Sequence, residues 1–332
     1  MCSREYFSDR YFIIYLEHIM MAETILVTDS VFIFDEHVHQ LEQAGYRVER
    51  LDKPCPSEAE LCVAIRGKVG YILGGVEQVT QPVLAAADRL RALSLVGVGY
   101  PHFIPVWQQA LQQGVAISNT PGGPTNEAAE WSLAAALMMN RRFLELGLTG
   151  SLNFAVTPGI EGQTVGILGL GRIGTRIAEL VTPFRPGAIL YHNRQPHLAQ
   201  AEAFAARYVS KLDLFAQADI IFVCLPGDAK LAVGRAELAA MKPGALLVSI
   251  AHPGVVDEPA LYEVLAAGRI RAISDYPMKD VRYTELPVSH WFSMKQSNTI
   301  SQAGARQMSD MATCSMLSLL RSGHDQFEVL LP

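Results

Sequence analysis

Apolar positions along the chain follow two rhythms. Short runs rich in Ile, Leu and Val (TILVTD, VGYILGG, RALSLVGVG, VAISN) stop at Gly, Asp or Asn. Between them lie stretches of helical spacing, VFIFDEHVHQLEQAG, QPVLAAADRL and PVWQQALQQG. Such alternation predicts βαβ units built on a parallel sheet. One long helix is then expected over TNEAAEWSLAAALMMNRRFLELG, apolar enough to be largely buried. The Gly/Pro/Thr-containing stretch TGSLNFAVTPGIEG marks a boundary. A second series opens at QTVGILGLGRIGTRIAELV and runs through AILYHNR, ADIIFVCLP, GALLVSIAHPG and IRAISDYP. A last helical stretch, RQMSDMATCSMLSLLRSG, is expected to return to the first unit. The fold class is therefore α/β, with two doubly wound parallel-sheet domains and no tandem repeat.

Composition narrows the field. The 332 residues are 50% hydrophobic and 18% charged, ample for two packed cores. With 27 basic and 33 acidic residues and no long basic run, nucleic-acid binding has no electrostatic support. The five cysteines (Cys2, Cys55, Cys62, Cys224, Cys314) are scattered, with no C-x-x-C pair, as in reduced cytoplasmic proteins. No apolar run is long enough to span a bilayer. Residues 1–20 mix charges with aromatics and read as an extra or non-native extension, with the protein proper starting at Met20 or Met21. No metal cluster appears, since no H-x-x-x-H pair carries acids placed as ligands, and no serine sits in a nucleophile elbow.

The strongest motif is Gly169-Leu170-Gly171-Arg172-Ile173-Gly174, which follows a strand-like VGIL and precedes an amphipathic helix. In that setting Gly169 permits the turn, Gly171 admits a pyrophosphate, and Gly174 lets helix and strand pack closely. The helix N-terminus supplies free N–H groups to the phosphates. The next strand ends at His192-Asn193-Arg194, where an acidic residue would bind the adenosine ribose. Without a carboxylate to repel a 2′-phosphate, and with Arg194 able to pair with one, NADP is favoured over NAD.

LVGVGYPHFI, GVAISNTPGGPTNEAAEW, TVGILGLGRIG, ADIIFVCLP, MKPGALLVSIAHPGVVDEPALYEVLAAGRI and NTISQAG follow one another in order. From about residue 23 onward the chain resembles the D-isomer-specific 2-hydroxyacid dehydrogenase family. The resemblance implies a flavodoxin-like substrate domain over 21–119 and 301–332, a Rossmann-type NAD(P) domain inserted over 120–300, and an active site in the cleft. It also implies a homodimer, although the region after MNRRFLELG is shorter than usual and lacks a tryptophan.

The family reduces 2-oxo acids with an arginine, a histidine and a glutamate. Here His252 stands at the arginine position, Met278 at the glutamate position and Gln302 at the histidine position. Histidine lacks the guanidinium fork, methionine does not ionise, and glutamine cannot shuttle a proton. Asp275 keeps the place of the nicotinamide contact, and Pro226 and Ala251 line the cofactor side. Gly74-Gly75-Val76 matches the loop whose amides hold the substrate carboxylate. Replacement chemistry falls to His252, with Tyr276, His290, Tyr100 and His102 as further candidates. The expected function is an NAD(P)-dependent oxidoreductase with altered substrate or mechanism. The alternative is a dinucleotide-binding sensor or scaffold without turnover.

Overall fold

The computed structural model describes residues 22–28, 33–53, 55–149, 156–226, 229–252, 254–294 and 300–331. The extension over 1–20, and residues 150–155 of the expected boundary, lie outside them. The chain divides into two compact units, Met1–Gly123 with Gln302–Pro332, and Pro124–Ser301.

In the first unit, β1 (Thr24–Thr28), β2 (Arg47–Leu51), β3 (Lys68–Leu73), β4 (Ala92–Leu95) and β5 (Ala116–Ser118) form one parallel sheet. Its order, β2-β1-β3-β4-β5, is that of flavodoxin-like sheets. Side chains alternate across it: Ile25 and Val27 join one core, and Leu26 joins the other. The helix Gln302–Ser322 lays Met308, Ala312, Met316 and Leu319 on the Ile25 face. The hydrophobic pattern does not reveal β2. Its sequence RVERL is charged, and as the edge strand it is nowhere fully buried.

The second unit holds β6 (Thr164–Leu168), β7 (Ala188–His192), β8 (Arg207–Tyr208), β9 (Ile220–Val223), β10 (Leu246–Ser249), β11 (Arg271–Ser274) and β12 (Trp291–Ser293). The order is β12-β11-β10-β9-β6-β7-β8, all parallel, a Rossmann sheet extended by one strand. Chain direction reverses its march across the sheet between β6 and β9. Ligands bind such sheets at that point, beyond the carboxyl ends of the strands.

One expected element is corrected. The long helix is two helices, Thr125–Asn140 and Phe143–Thr149, with a break at Arg141–Arg142. Arg142 adopts φ 55°, a left-handed conformation that no helix continues through. The new helix is held by Arg142 Nε donating to Glu145 at 2.8 Å. The first helix ends against a cation: Arg271 donates to the Met139 carbonyl and to Asn140 Oδ1, both at 2.9 Å. That pairing places positive charge at a helix C-terminus and ties the helix to β11. The helix packs its small residues Ala129, Ala135 and Ala136 in one core with Ile177, Ala178 and Val181 of the helix Arg172–Val181.

Candidate functional site

The glycine motif closes the turn from β6 into the helix Arg172–Val181. Gly169 has φ 102°, and a Cβ there would stand 2.8 Å from the Cys224 carbonyl oxygen. A Cβ on Gly174 would run into the Gly169 carbonyl oxygen. Both positions are glycine for reasons internal to the fold. Gly171 differs: a Cβ there would meet nothing within 4 Å. Its smallness serves nothing in the chain itself, and it leaves room above a helix N-terminus that no side chain caps. The first-turn amides at Arg172, Ile173 and Gly174 have no intrahelical acceptor. Such a site suits a pyrophosphate. Arg172 is exposed there, while Ile173 packs into the core beneath.

The end of β7 supports the turn. Asn193 Oδ1 accepts from the Leu170 amide at 2.7 Å, and Gly169 N donates to the His192 carbonyl at 3.0 Å. His192 Nδ1 lies 2.9 Å from the Val209 carbonyl, and its ring stacks on Tyr208. Of the three residues read as adenosine contacts, two are thus engaged in holding the loop. Arg194 is exposed, with no hydrogen bond or ion pair to the described residues. His197, absent from the sequence reading, joins this support with Nδ1 2.9 Å from the Leu170 carbonyl.

Pro226 follows β9, and Ala251 and His252 follow β10, so the parallel sheet sets both beyond the same edge as the glycine turn. Pro226 and His252 are exposed, and Ala251 is buried. Asp275 and Tyr276 follow β11; Asp275 is 1% exposed, and its amide donates to the Ser249 carbonyl at 3.0 Å. The His252 and Tyr276 rings meet with centroids 5.5 Å apart. They share a hollow with Ser249, Gly254, Glu258 and Met278. Met278 also packs onto the core.

Glu258 escaped the sequence reading. It is the first residue of the helix Glu258–Ala266, which Asp257 caps by accepting from the Ala260 amide at 3.0 Å. Its Oε2 accepts from the Lys279 amide at 3.3 Å. The signal was present: a capping Asp five residues after His252 starts the helix beside the His252 loop. The Cys224 thiol, at the end of β9, is pushed up to about 12 by burial and is inert at neutral pH.

In the first unit, the Gly74 amide is not free to bind a substrate, because it donates to Thr28 Oγ1 at 3.3 Å. The amides of Gly75 and Val76 have no partner among the described residues. Gln78 Nε2 donates to the His102 carbonyl at 2.7 Å and Val79 N to the Phe103 carbonyl at 2.8 Å, so this turn and the helix Tyr100–Phe103 are joined. Tyr100 packs edge-on against Trp107 and serves the core, while His102 is exposed. Gln302 is an exposed first residue of its helix. No group of three metal-ligating side chains and no membrane-spanning helix occurs among the described residues.

Comparison with known proteins agrees with this fold. The family model described as D-isomer specific 2-hydroxyacid dehydrogenase, NAD binding domain, matches residues 135–300. Glyoxylate/hydroxypyruvate reductase B of Pectobacterium atrosepticum is 33% identical over 263 residues, 75% of this chain and 81% of the relative. The TT0316 protein of Thermus thermophilus superposes with a TM-score of 0.80 at 24% identity, over 92% of this chain and 100% of that one. NAD+-bound 3-phosphoglycerate dehydrogenase of Entamoeba histolytica gives a TM-score of 0.80 at 17% identity, over 93% and 99%.

Proposed function

This chain belongs to the D-isomer specific 2-hydroxyacid dehydrogenase family, and on that premise we propose that it reduces a short 2-oxo acid with NADPH, using His252 as proton donor. It is a nicotinamide-dinucleotide-dependent oxidoreductase of the 2-hydroxyacid dehydrogenase type. The name of the Pectobacterium relative directs the substrate toward glyoxylate or hydroxypyruvate. The observation carrying the proposal is the hollow shared by His252, Tyr276 and Glu258 at the sheet edge that also holds the glycine turn.

The bound dinucleotide supplies the hydride. The first-turn amides and Arg172 hold its pyrophosphate, and Asp275 takes the carboxamide as the family resemblance implies. Arg194, exposed and without a carboxylate beside it, pairs with a 2′-phosphate and gives the preference for NADPH. His252 protonates the developing alkoxide, and Glu258 orients it where the family has a different carboxylate. As the family resemblance implies, the amides of Gly75 and Val76 hold the substrate carboxylate. A homodimer is the assembly we infer, supported by the exposed apolar Phe143 and Val156 in the segment where the family resemblance puts a partner subunit.

The test is loss of reduced-nicotinamide absorbance with glyoxylate and with hydroxypyruvate. Turnover faster with NADPH than with NADH is expected, and R194A should erase that preference. NADPH binding without turnover of either acid would leave the dinucleotide-binding scaffold as the reading. Sedimentation as a monomer would remove the dimer.

A further inference from the structure

Beneath the Gly74–Val76 turn lies a carboxylate with no cation paired to it among the described residues. Glu77 is 3% exposed, and both of its hydrogen-bond donors reach one oxygen. The Thr28 hydroxyl donates to Oε1, as does the Tyr71 hydroxyl at 2.9 Å. Oε2 is buried and has no partner among the described residues. Thr28 ends β1 and Tyr71 lies in β3, and both are fully buried. Burial first, and then the charge of Glu77, hold the Tyr71 phenol well above its ordinary range, so it stays a donor. An ionised group in such a place is expensive, and an apolar side chain would fill it at less cost.

The hydrogen-bond direction indicates what the carboxylate does. A threonine hydroxyl has one hydrogen and two lone pairs. Thr28 gives its hydrogen to Glu77, so toward Gly74 it can only accept, and the Gly74 amide donates to it at 3.3 Å. Without Glu77 the hydroxyl could turn its hydrogen toward that amide and repel it. The order is Gly74 to Thr28 to Glu77. Gly75 and Val76 then remain as the adjacent amides with no partner among the described residues.

We propose that Glu77 is a positioning residue: acting through Thr28, it pins Gly74 inward and leaves the Gly75 and Val76 amides for the substrate carboxylate. This rests on the reading of the protein as a 2-oxo acid reductase. Tyr71 shares the carboxylate, and its hydroxyl lies 3.3 Å from Thr28 Oγ1, but both hydroxyls give their hydrogens to Glu77 and Tyr71 makes no bond to Gly74, so it separates positioning from mere packing.

The experiment measures KM for glyoxylate and hydroxypyruvate, kcat, and the Kd of NADPH in E77A, E77Q, T28V and Y71F. In E77A and T28V, KM should rise about ten-fold, as expected for one lost hydrogen bond, with kcat and Kd within about two-fold. E77Q, whose amide oxygen still accepts both hydroxyls, should restore KM, and Y71F should leave it unchanged. Amide hydrogen exchange across residues 74–76, read without substrate, should quicken in E77A and T28V and not in Y71F. Should E77A fail to fold, T28V carries the same expectation in an almost isosteric side chain. Unchanged KM and exchange in T28V, or an equal rise in Y71F, would overturn the proposal. A parent protein that turns over no 2-oxo acid sinks the reductase reading, while the exchange pattern alone still decides whether Glu77 holds the turn.

Discussion

The two ends of the seven-stranded sheet's ligand-binding edge are built under different constraints. At the β6–β7 end, the turn is fixed by two means, backbone geometry at Gly169 and Gly174 and side-chain bonds to Leu170. Gly169 and Gly174 admit no Cβ, and Leu170 is held on both polar atoms by Asn193 and His197. At the β10–β11 end, the His252 and Tyr276 rings meet beside a hollow that a carboxylate from a neighbouring helix also lines. A dinucleotide turn depends on the backbone, which many interior contacts define together. Proton-transfer chemistry depends on side-chain tips, which can be exchanged while the strands beneath stay put. That difference is consistent with the sequence expectation of a dinucleotide half like the family's beside replaced chemical residues.

The comparison can be broken or sharpened at several places. H252A should have the largest effect: kcat falling by about 10²–10⁴, the usual worth of a general acid, with the Kd of NADPH unchanged. Steady-state rates and a binding titration check it, and equal turnover in variant and parent removes His252 from the mechanism. Next, G171V should raise the Kd of NADPH roughly 10–100-fold while leaving Tm near the parent value, because only a ligand occupies that space. G174V should lower Tm instead, because its Cβ meets backbone. Identical behaviour in the two variants would mean that Gly171 is structural.

E258Q should lower kcat about ten-fold with cofactor affinity intact, the loss expected when a charge-assisted contact becomes neutral. An unchanged kcat confines Glu258 to its bond with Lys279. The smallest effect lies in the first unit and concerns pH. Burial raises the Tyr71 hydroxyl above its unfolded value of about 10. Its contribution to stability is therefore complete below that pH. Above it the unfolded state loses a proton that the folded state keeps, so stability falls by up to about 1.4 kcal/mol per pH unit until the folded group titrates. Denaturant melts across pH 9–12 should show a shallower alkaline decline in Y71F than in the parent.

Much of the architecture was legible beforehand. The strands around TILVT, VGYIL, TVGIL, IIFV and LLVS are continuous apolar runs, because a parallel strand is covered on both faces. β2, β8 and β12 were not legible, because RVERL, RY and WFS lack a continuous aliphatic run. The break at Arg142 was also hidden, because arginine is a good helix former and nothing local announces its left-handed backbone.

By itself the sequence determined the α/β class and the glycine turn, and it carried the expectation that the usual arginine, glutamate and histidine are replaced. These are properties of residue type and short-range spacing, which local chemistry reads directly. Only the tertiary structure decided that Asn193 and His192 support the turn, that Gly74 spends its amide on Thr28, that Glu258 lines the His252 hollow and that Glu77 is buried against Thr28 and Tyr71. Each of these follows from a side chain meeting atoms far along the chain or on a neighbouring element. Parallel strands joined by helical crossovers bring such partners together through packing, and spacing in the sequence does not record it.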